Sequence, residues 1–263
     1  LKSAASCGEG SPSIAHMWHM PGHIYSRLHR YADAAWQQEA SARTDHKHMM
    51  HDLVLPDQIH NFAHNNEWLT RNLVNLGRIN DALSLAKNMC ELPRHPKYNT
   101  LKKGSSSYGR TRIIQVLKTF EMWDEVLALK DSPYLEETDI DKEKLKRLRL
   151  LGQAYFFKND LIKGDKIIEE VNTLSAEIEK KAIEDYEKKK AEDKKKEQEK
   201  KDKKTAKNED TKTDKTDKTD KTDKTDKTDK KKDDKKEKER SKSGDEKYAD
   251  ETLKELKFIK ALA

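Results

Sequence analysis

The sequence WLTRNLVNLGRINDALSLAKNMCELPRHP, residues 68–96, contains two amphipathic helical segments separated by a glycine. Apolar residues recur at helical spacing from Trp68 to Leu76, and the same period resumes after Gly77. Glycine permits the backbone that a tight turn between helices requires, and Pro93 ends the second segment. The stretch therefore predicts a helical hairpin, in which small alanines let the two helices approach closely.

Three further stretches show the same pattern of two helical segments around a short turn. One precedes this hairpin, with its turn near His29, and two follow, with turns near Glu121 and Asn159. We predict four helical hairpins within residues 13–186, at about 13–45, 57–93, 110–131 and 139–186. The long connections 45–57 and 94–110 are either contact surfaces or ordinary solvent-exposed loops.

The two ends of the chain depart from the hairpin pattern. Residues 1–12 are expected to be a loop or a truncated end, since the chain begins with Leu1. Residues 187–244 are a charged low-complexity segment, whose Glu/Lys part is compatible with an exposed helix. Its Thr-Asp-Lys repeats have too little apolar surface to offset the entropy of ordering, so we expect disorder there. Residues 245–263 are amphipathic again and are predicted to dock on the fourth hairpin as the first helix of a further repeat.

Composition argues against two classes of function. The formal net charge of +6 arises after residue 186, so the hairpin region lacks the clustered excess of Lys and Arg that specific nucleic-acid binding requires. The sequence also contains no apolar run long enough for a membrane span. Cys7 and Cys90 form neither a CxxC motif nor a disulfide framework, so they leave the redox compartment undecided.

The segments PGHIYSRLHRYADAA (21–35) and LVNLGRINDALSLA (73–86) resemble successive tetratricopeptide repeats. That family carries small and aromatic residues at set positions of each helix pair. The matching residues here are Gly22, Tyr25, Tyr31 and Ala34 in the first pair, and Gly77, Ile79 and Ala82 in the second. The resemblance implies an all-α fold, an α-solenoid of antiparallel helix hairpins with the charged segment as a partly disordered insertion. The repeats are irregular, because the predicted turns are farther apart than the usual 34-residue period.

The same resemblance implies a non-catalytic scaffold that binds a protein or peptide on its concave face. The residues expected to contact the partner are Trp18, Tyr25, Asn66, Leu69 and Leu73. They differ from the Lys, Asn and Arg pattern of tetratricopeptide domains that hold an acidic C-terminal peptide, so a groove offering apolar, aromatic and amide contacts is favoured. No spacing in the sequence selects a nucleophile with its base, and we predict no enzyme activity.

All ten histidines lie between residues 16 and 95, which suggests a second function. His16, His19 and His23 share one helix face, and His60 and His64 share a face of the first helix of the next hairpin. If these imidazoles converge, they can bind a transition metal such as Zn or Cu. The alternative interpretation is packing and hydrogen bonding between helices, which the lack of an HExxH motif or a Cys/His ligand set favours.

The segment HMPGHIY (19–25) also resembles a histidine-rich bacterial branch of tetratricopeptide proteins, some of which are joined to thioredoxin-like domains. That resemblance implies a fragment of a larger redox or metal-handling protein, exported or periplasmic, with a thioredoxin-like domain in the same parent chain. It carries no catalytic residue onto this sequence. Two hypotheses follow, a protein-binding scaffold and a histidine-rich metal-binding module, and the convergence of the imidazole nitrogens separates them.

Overall fold

The structure is a computed structural model that describes residues 2–59, 61–209 and 241–263, without the side chains of 194 and 197–209. This described part is helical throughout, which confirms the predicted all-α class. Its helices are α1 (Lys2–Gly10), α2 (Ala15–Arg27), α3 (Tyr31–Asp52), α4 (Phe62–Asn75), α5 (Ile79–Glu91), α6 (Ser105–Thr119), α7 (Trp123–Leu129), α8 (Asp141–Phe157), α9 (Leu161–Glu209) and α10 (Gly244–Leu262). A short 3₁₀ helix, Pro56–Gln58, precedes α4.

The chain divides into two compact units. The first comprises Leu1–Asn172 and Glu251–Ala263, and the second comprises Thr173–Asp250. All the histidines that the structure describes lie in the first unit. In the second unit, α9 and α10 bury Leu174, Ile178 and Ala249. Among the described residues, no helix combines the length and the apolar character needed to cross a membrane.

The four predicted hairpins of the first unit share one type of turn. The residues predicted to lie at the turns all have positive φ: His29 (57°), Gly77 (70°), Glu121 (51°) and Asn159 (60°). In the first turn the amide of Arg30 donates to the carbonyl of Tyr25, and the amide of His29 donates to the carbonyl of Ser26. The other three turns repeat both hydrogen bonds at equivalent positions. This is the Schellman arrangement, which satisfies the last carbonyls of a helix and reverses the chain.

The fifth residue after each turn residue lies in the interface between the two helices of its hairpin. These residues are Ala34, Ala82, Val126 and Gly164, and all four are buried. A Cβ atom on Gly164 would overlap the ring of Phe156 on the preceding helix. Three of the hairpins therefore close over alanine or glycine and the third over valine, and the fourth one needs glycine because its partner is bulky.

Residues 1–12 differ from the predicted loop, since Lys2–Gly10 form a helix. This helix is too short to be stable alone, so tertiary contacts stabilise it. Ala4 is buried in a cluster with Tyr25 and Ala34, and Gly8 lies directly against the indole of Trp18. The sequence prediction was wrong because these contacts come from other helices.

The connections between hairpins also differ from the prediction. Helix α3 continues to Asp52, beyond the predicted end at residue 45, because its last turns are held by the buried side chain of Met49. The shortened connection between α3 and α4 contacts the start of α6. Asp57 Oδ1 accepts hydrogen bonds from the Ser105 amide at 2.7 Å and the Ser105 hydroxyl at 2.9 Å. Asn99 Oδ1 accepts from the Ser106 amide at 2.8 Å. The two connections therefore cap α6, which is a structural role.

The C-terminal residues form the predicted amphipathic helix, and it docks on the fourth hairpin. Glu255 of α10 accepts hydrogen bonds from Arg149 and Gln153 of α8. Leu256 is fully buried against Gly152, where a Cβ atom would meet its methyl groups. Helix α9 continues through the Glu/Lys part of the charged segment, and the Thr-Asp-Lys units predicted to be disordered lie outside the described residues.

Asp45 links the first hairpin to the second through a buried hydrogen bond. Its Oδ2 accepts from Asn65 Nδ2 at 2.7 Å, and only 6% of the residue is exposed. Burial raises the pKa of the Asp45 carboxyl to about 6, against a value of 3.8 for an unperturbed aspartate. The Asp45 carboxyl is therefore buried between the two hairpins, where its charged form is disfavoured.

We expect Asp45→Asn to stabilise the protein at pH 7.5 by about 2–3 kcal/mol, because its pKa rises from 3.8 to about 6 on folding and one pKa unit corresponds to about 1.4 kcal/mol. The folded chain holds its proton more tightly than the unfolded chain, so native stability falls as pH rises from about 4 through about 6. The asparagine side chain of the variant does not ionise, so this pH-dependent loss of stability disappears, while its amide oxygen can still accept the hydrogen bond from Asn65. Urea unfolding at pH 4 and pH 7.5 checks this, with Asp33→Asn at an exposed ion pair as the control. Equal or lower stability of Asp45→Asn at pH 7.5 would contradict the prediction.

Candidate metal centre

Three imidazoles from two hairpins converge in the first unit. One nitrogen atom of each of His19, His23 and His64 lies within 4.8 Å of the other two. The Nε2 atoms of His19 and His23 are 2.6 Å apart. The ring centroid of His64 lies 4.9 Å from that of His19 and 5.9 Å from that of His23. The group therefore has the donor type and the closeness of a transition-metal site.

Helix α2 places two of these ligands by its own geometry. His19 and His23 are one turn apart, and α2 continues through Pro21 without interruption, so both rings remain on one face. Gly22 lies between them and is buried. A Cβ atom at this position would overlap the amide of Gln38 on α3, so glycine admits the Gln38 side chain to the surface of α2.

Gln38 determines which nitrogen of His19 carries the proton. Its Nε2 donates to the backbone carbonyl of His19 at 3.2 Å, so its Oε1 faces His19 Nδ1 at 2.9 Å. A carbonyl oxygen only accepts, and therefore Nδ1 must be protonated. The Nε2 lone pair of His19 is then directed to His23. Metal-binding histidines usually donate their second ring N–H to such an acceptor.

The surroundings of His64 contain a buried carboxylate and two aromatic rings. Glu67 Oε2 lies 3.9 Å from His64 Nδ1, and Glu67 also pairs with Arg112 of α6. The indole of Trp68 meets the His23 ring edge-on, with centroids 4.2 Å apart. Tyr108 of α6 lies on the other side, 6.2 Å from His64 between ring centroids. Helices α2, α4 and α6 thus enclose the group.

Burial favours the neutral form of two of these imidazoles, His19 and His23. It lowers the pKa of His19 to about 4; the hydrogen bond to Gln38 opposes this change, and the neighbouring imidazoles of His23, His64 and His16 reinforce it. Burial is also the main cause of the lowered pKa of His23. A neutral imidazole is the form that binds a metal, so protons compete weakly at His19.

The structure brings together three of the five predicted ligands. His16 stacks on His19 with centroids 5.7 Å apart, but it offers no nitrogen to the described group. His60 lies outside the described residues. Sequence analysis missed Gln38, for which the only signal was a glycine between two histidines, facing a neighbouring helix.

Four of the five predicted partner-binding residues are buried and Trp18 is half-buried, so they pack against other helices and do not form the exposed docking face that was predicted. Tyr25, Leu69 and Leu73 are core residues, and Asn66 is buried and donates to the carbonyl of Phe62. Trp18 packs edge-on against Trp36 and donates its indole N–H to the carbonyl of Pro12. The error has a physical cause: the apolar periodicity that marks a docking face also marks the core face of a helix.

Comparison with models of known protein families, with curated proteins and with solved structures gave no significant match. The chemistry of the site is therefore inferred from the residues that form it.

Proposed function

We propose that this chain is a helical module that binds a transition-metal ion through His19, His23 and His64. The observation that carries the proposal is the convergence of the three imidazoles, with the unprotonated Nε2 of His19 directed into the group by Gln38. Zn²⁺ and Cu²⁺ both accept imidazole nitrogens, and three protein ligands suffice for many zinc sites. Glu67 is placed as an outer carboxylate that can orient His64.

Small side-chain movements adapt the group to a metal ion. Metal–nitrogen bonds of about 2.0–2.1 Å in a tetrahedral site place two ligand nitrogens about 3.3 Å apart. The Nε2 atoms of His19 and His23 are 2.6 Å apart, so they must separate slightly. His23 and His64 are half-buried and can adjust, whereas His19 is held by Gln38. The ion would then join α2 to α4 and thereby the first hairpin to the second.

The test is the metal content of protein purified without an affinity tag or chelator and then dialysed against Zn²⁺ or Cu²⁺. We expect about one equivalent in the native chain and loss of the metal in His23→Ala/His64→Ala, because one imidazole remains of three. The control is His48→Ala/His51→Ala, which removes two exposed histidines at the end of α3. Equal metal content in the two double variants, or none in the native chain, would overturn the proposal.

A protein-binding scaffold is the second candidate function, and it is supported by the repeated geometry of the turns. Four hairpins with the same Schellman turn and a buried residue at the same position favour a tetratricopeptide-like α-solenoid. Such solenoids commonly bind protein partners, but fold alone does not identify a partner. The two roles are compatible, because the metal site uses only the first two hairpins. A thioredoxin-like domain in the parent chain remains a prediction from the sequence.

A further inference from the structure

We propose that the metal centre binds an oxyanion, held jointly by the metal ion and by Arg71. This inference rests on the proposed metal function and names the class of ligand that the loaded site would accept.

Arg71 lies beside the histidine group, and its guanidinium contacts an aromatic ring of that group's surroundings. Its guanidinium stacks on the indole of Trp68, with Cζ 4.0 Å from the ring centroid. The same indole contacts the ring of His23, with centroids 4.2 Å apart. Among the described residues, no carboxylate forms an ion pair with Arg71. The aromatic face therefore presents a guanidinium close to the ligand His23.

The buried carboxylate beside His64 is already engaged elsewhere. Glu67 is 3% exposed and pairs with Arg112, so its charge is offset. A divalent ion bound by the three imidazoles would add two positive charges next to the charge of Arg71. This excess of positive charge at the half-buried histidine group favours the binding of a counter-anion, because desolvated charge is costly unless it is compensated.

The geometry of these groups favours an anion with several oxygen atoms. One oxygen would bind the metal, and another would accept hydrogen bonds from the planar fork of Arg71, a group that suits phosphate and carboxylate. His23, His64 and Arg71 are half-buried, so the site is open to a small anion from solvent. A monatomic anion such as chloride could bind the metal ion but could not contact the metal ion and the guanidinium of Arg71 at the same time.

The experiment uses the full chain loaded with Co²⁺, whose visible absorption reports on its ligands. The cobalt absorption is first recorded for the native chain and for His23→Ala/His64→Ala, which should lack it. Inorganic phosphate, acetate and chloride are then each titrated into the native chain. We expect phosphate or acetate to change the spectrum at concentrations at which chloride does not. Arg71→Met should raise the dissociation constant of that oxyanion at least about tenfold, since a charge-assisted hydrogen bond is worth about 1.5–3 kcal/mol.

Arg78→Met is the matched control, because it removes an arginine that is paired with Asp81 at the turn of the same hairpin. The control should bind the oxyanion as the native chain does. Absence of cobalt absorption in the native chain would overturn the metal function and this inference together. A normal cobalt spectrum that oxyanions leave unchanged, or that responds to them equally in Arg71→Met, would overturn this inference alone.

Discussion

Glu143→Ala is expected to lower the free energy of unfolding by about 3 kcal/mol or more, because it leaves a buried charge without its ion-pair partner. Arg110 of α6 is 1% exposed, and its Nε lies 3.4 Å from Glu143 Oε2 on α8. Among the described residues the three guanidinium nitrogens have no hydrogen-bond partner, so Glu143 compensates the charge by proximity alone. Lys146 also donates to Glu143 at 2.7 Å, so the carboxylate serves two cations.

Urea unfolding followed by circular dichroism measures this loss. The control is Glu137→Ala, which removes an exposed carboxylate 3.4 Å from Arg147 and should change stability little. The double variant Arg110→Met/Glu143→Leu tests the cause, because it replaces both charges by apolar groups and should recover most of the loss. If Glu143→Ala were no less stable than Glu137→Ala, or if the double variant were as unstable as Glu143→Ala, the explanation would be wrong.

Gly109→Ala is expected to destabilise the protein by about 3 kcal/mol, at the upper end of the usual cost of overpacking. Helix α6 crosses α5 at this glycine. A Cβ atom here would lie 2.6 Å from the carbonyl oxygen of Ala86, 2.8 Å from Cys90 Sγ and 2.9 Å from Met89 Cβ. These atoms belong to the backbone or lie next to it, so the whole helix must shift. The loss exceeds the gain of about 1 kcal/mol that alanine brings to a helix.

The thermal midpoint of unfolding measures the effect of Gly109→Ala. Gly10→Ala is the control, because a Cβ atom at Gly10 would meet nothing within 4 Å. We expect Gly10→Ala to leave the midpoint nearly unchanged. A similar midpoint for both variants would show that α5 and α6 separate easily, against the close approach described here.

The helices and their turns could be predicted because the information is local. Apolar spacing identifies each helical segment, and residues that readily adopt positive φ mark some of the reversals, as at Gly77 and Asn159. Helix α1 was missed for the opposite reason, since it is stabilised by Trp18 and Tyr25 from other segments. The same distinction explains the burial of Leu69 and Leu73, whose apolar character is local but whose neighbours are not.

For the candidate site, the sequence by itself determined that His19 and His23 share a helix face, because helical geometry places residues four apart side by side. Only the tertiary structure decided that His64 joins them while His16 does not, since this depends on how α2 and α4 pack. It also decided the proton position of His19, through Gln38 from a third helix. Periodicity specifies which face of a helix is apolar, whereas long-range packing specifies which polar groups meet across that face.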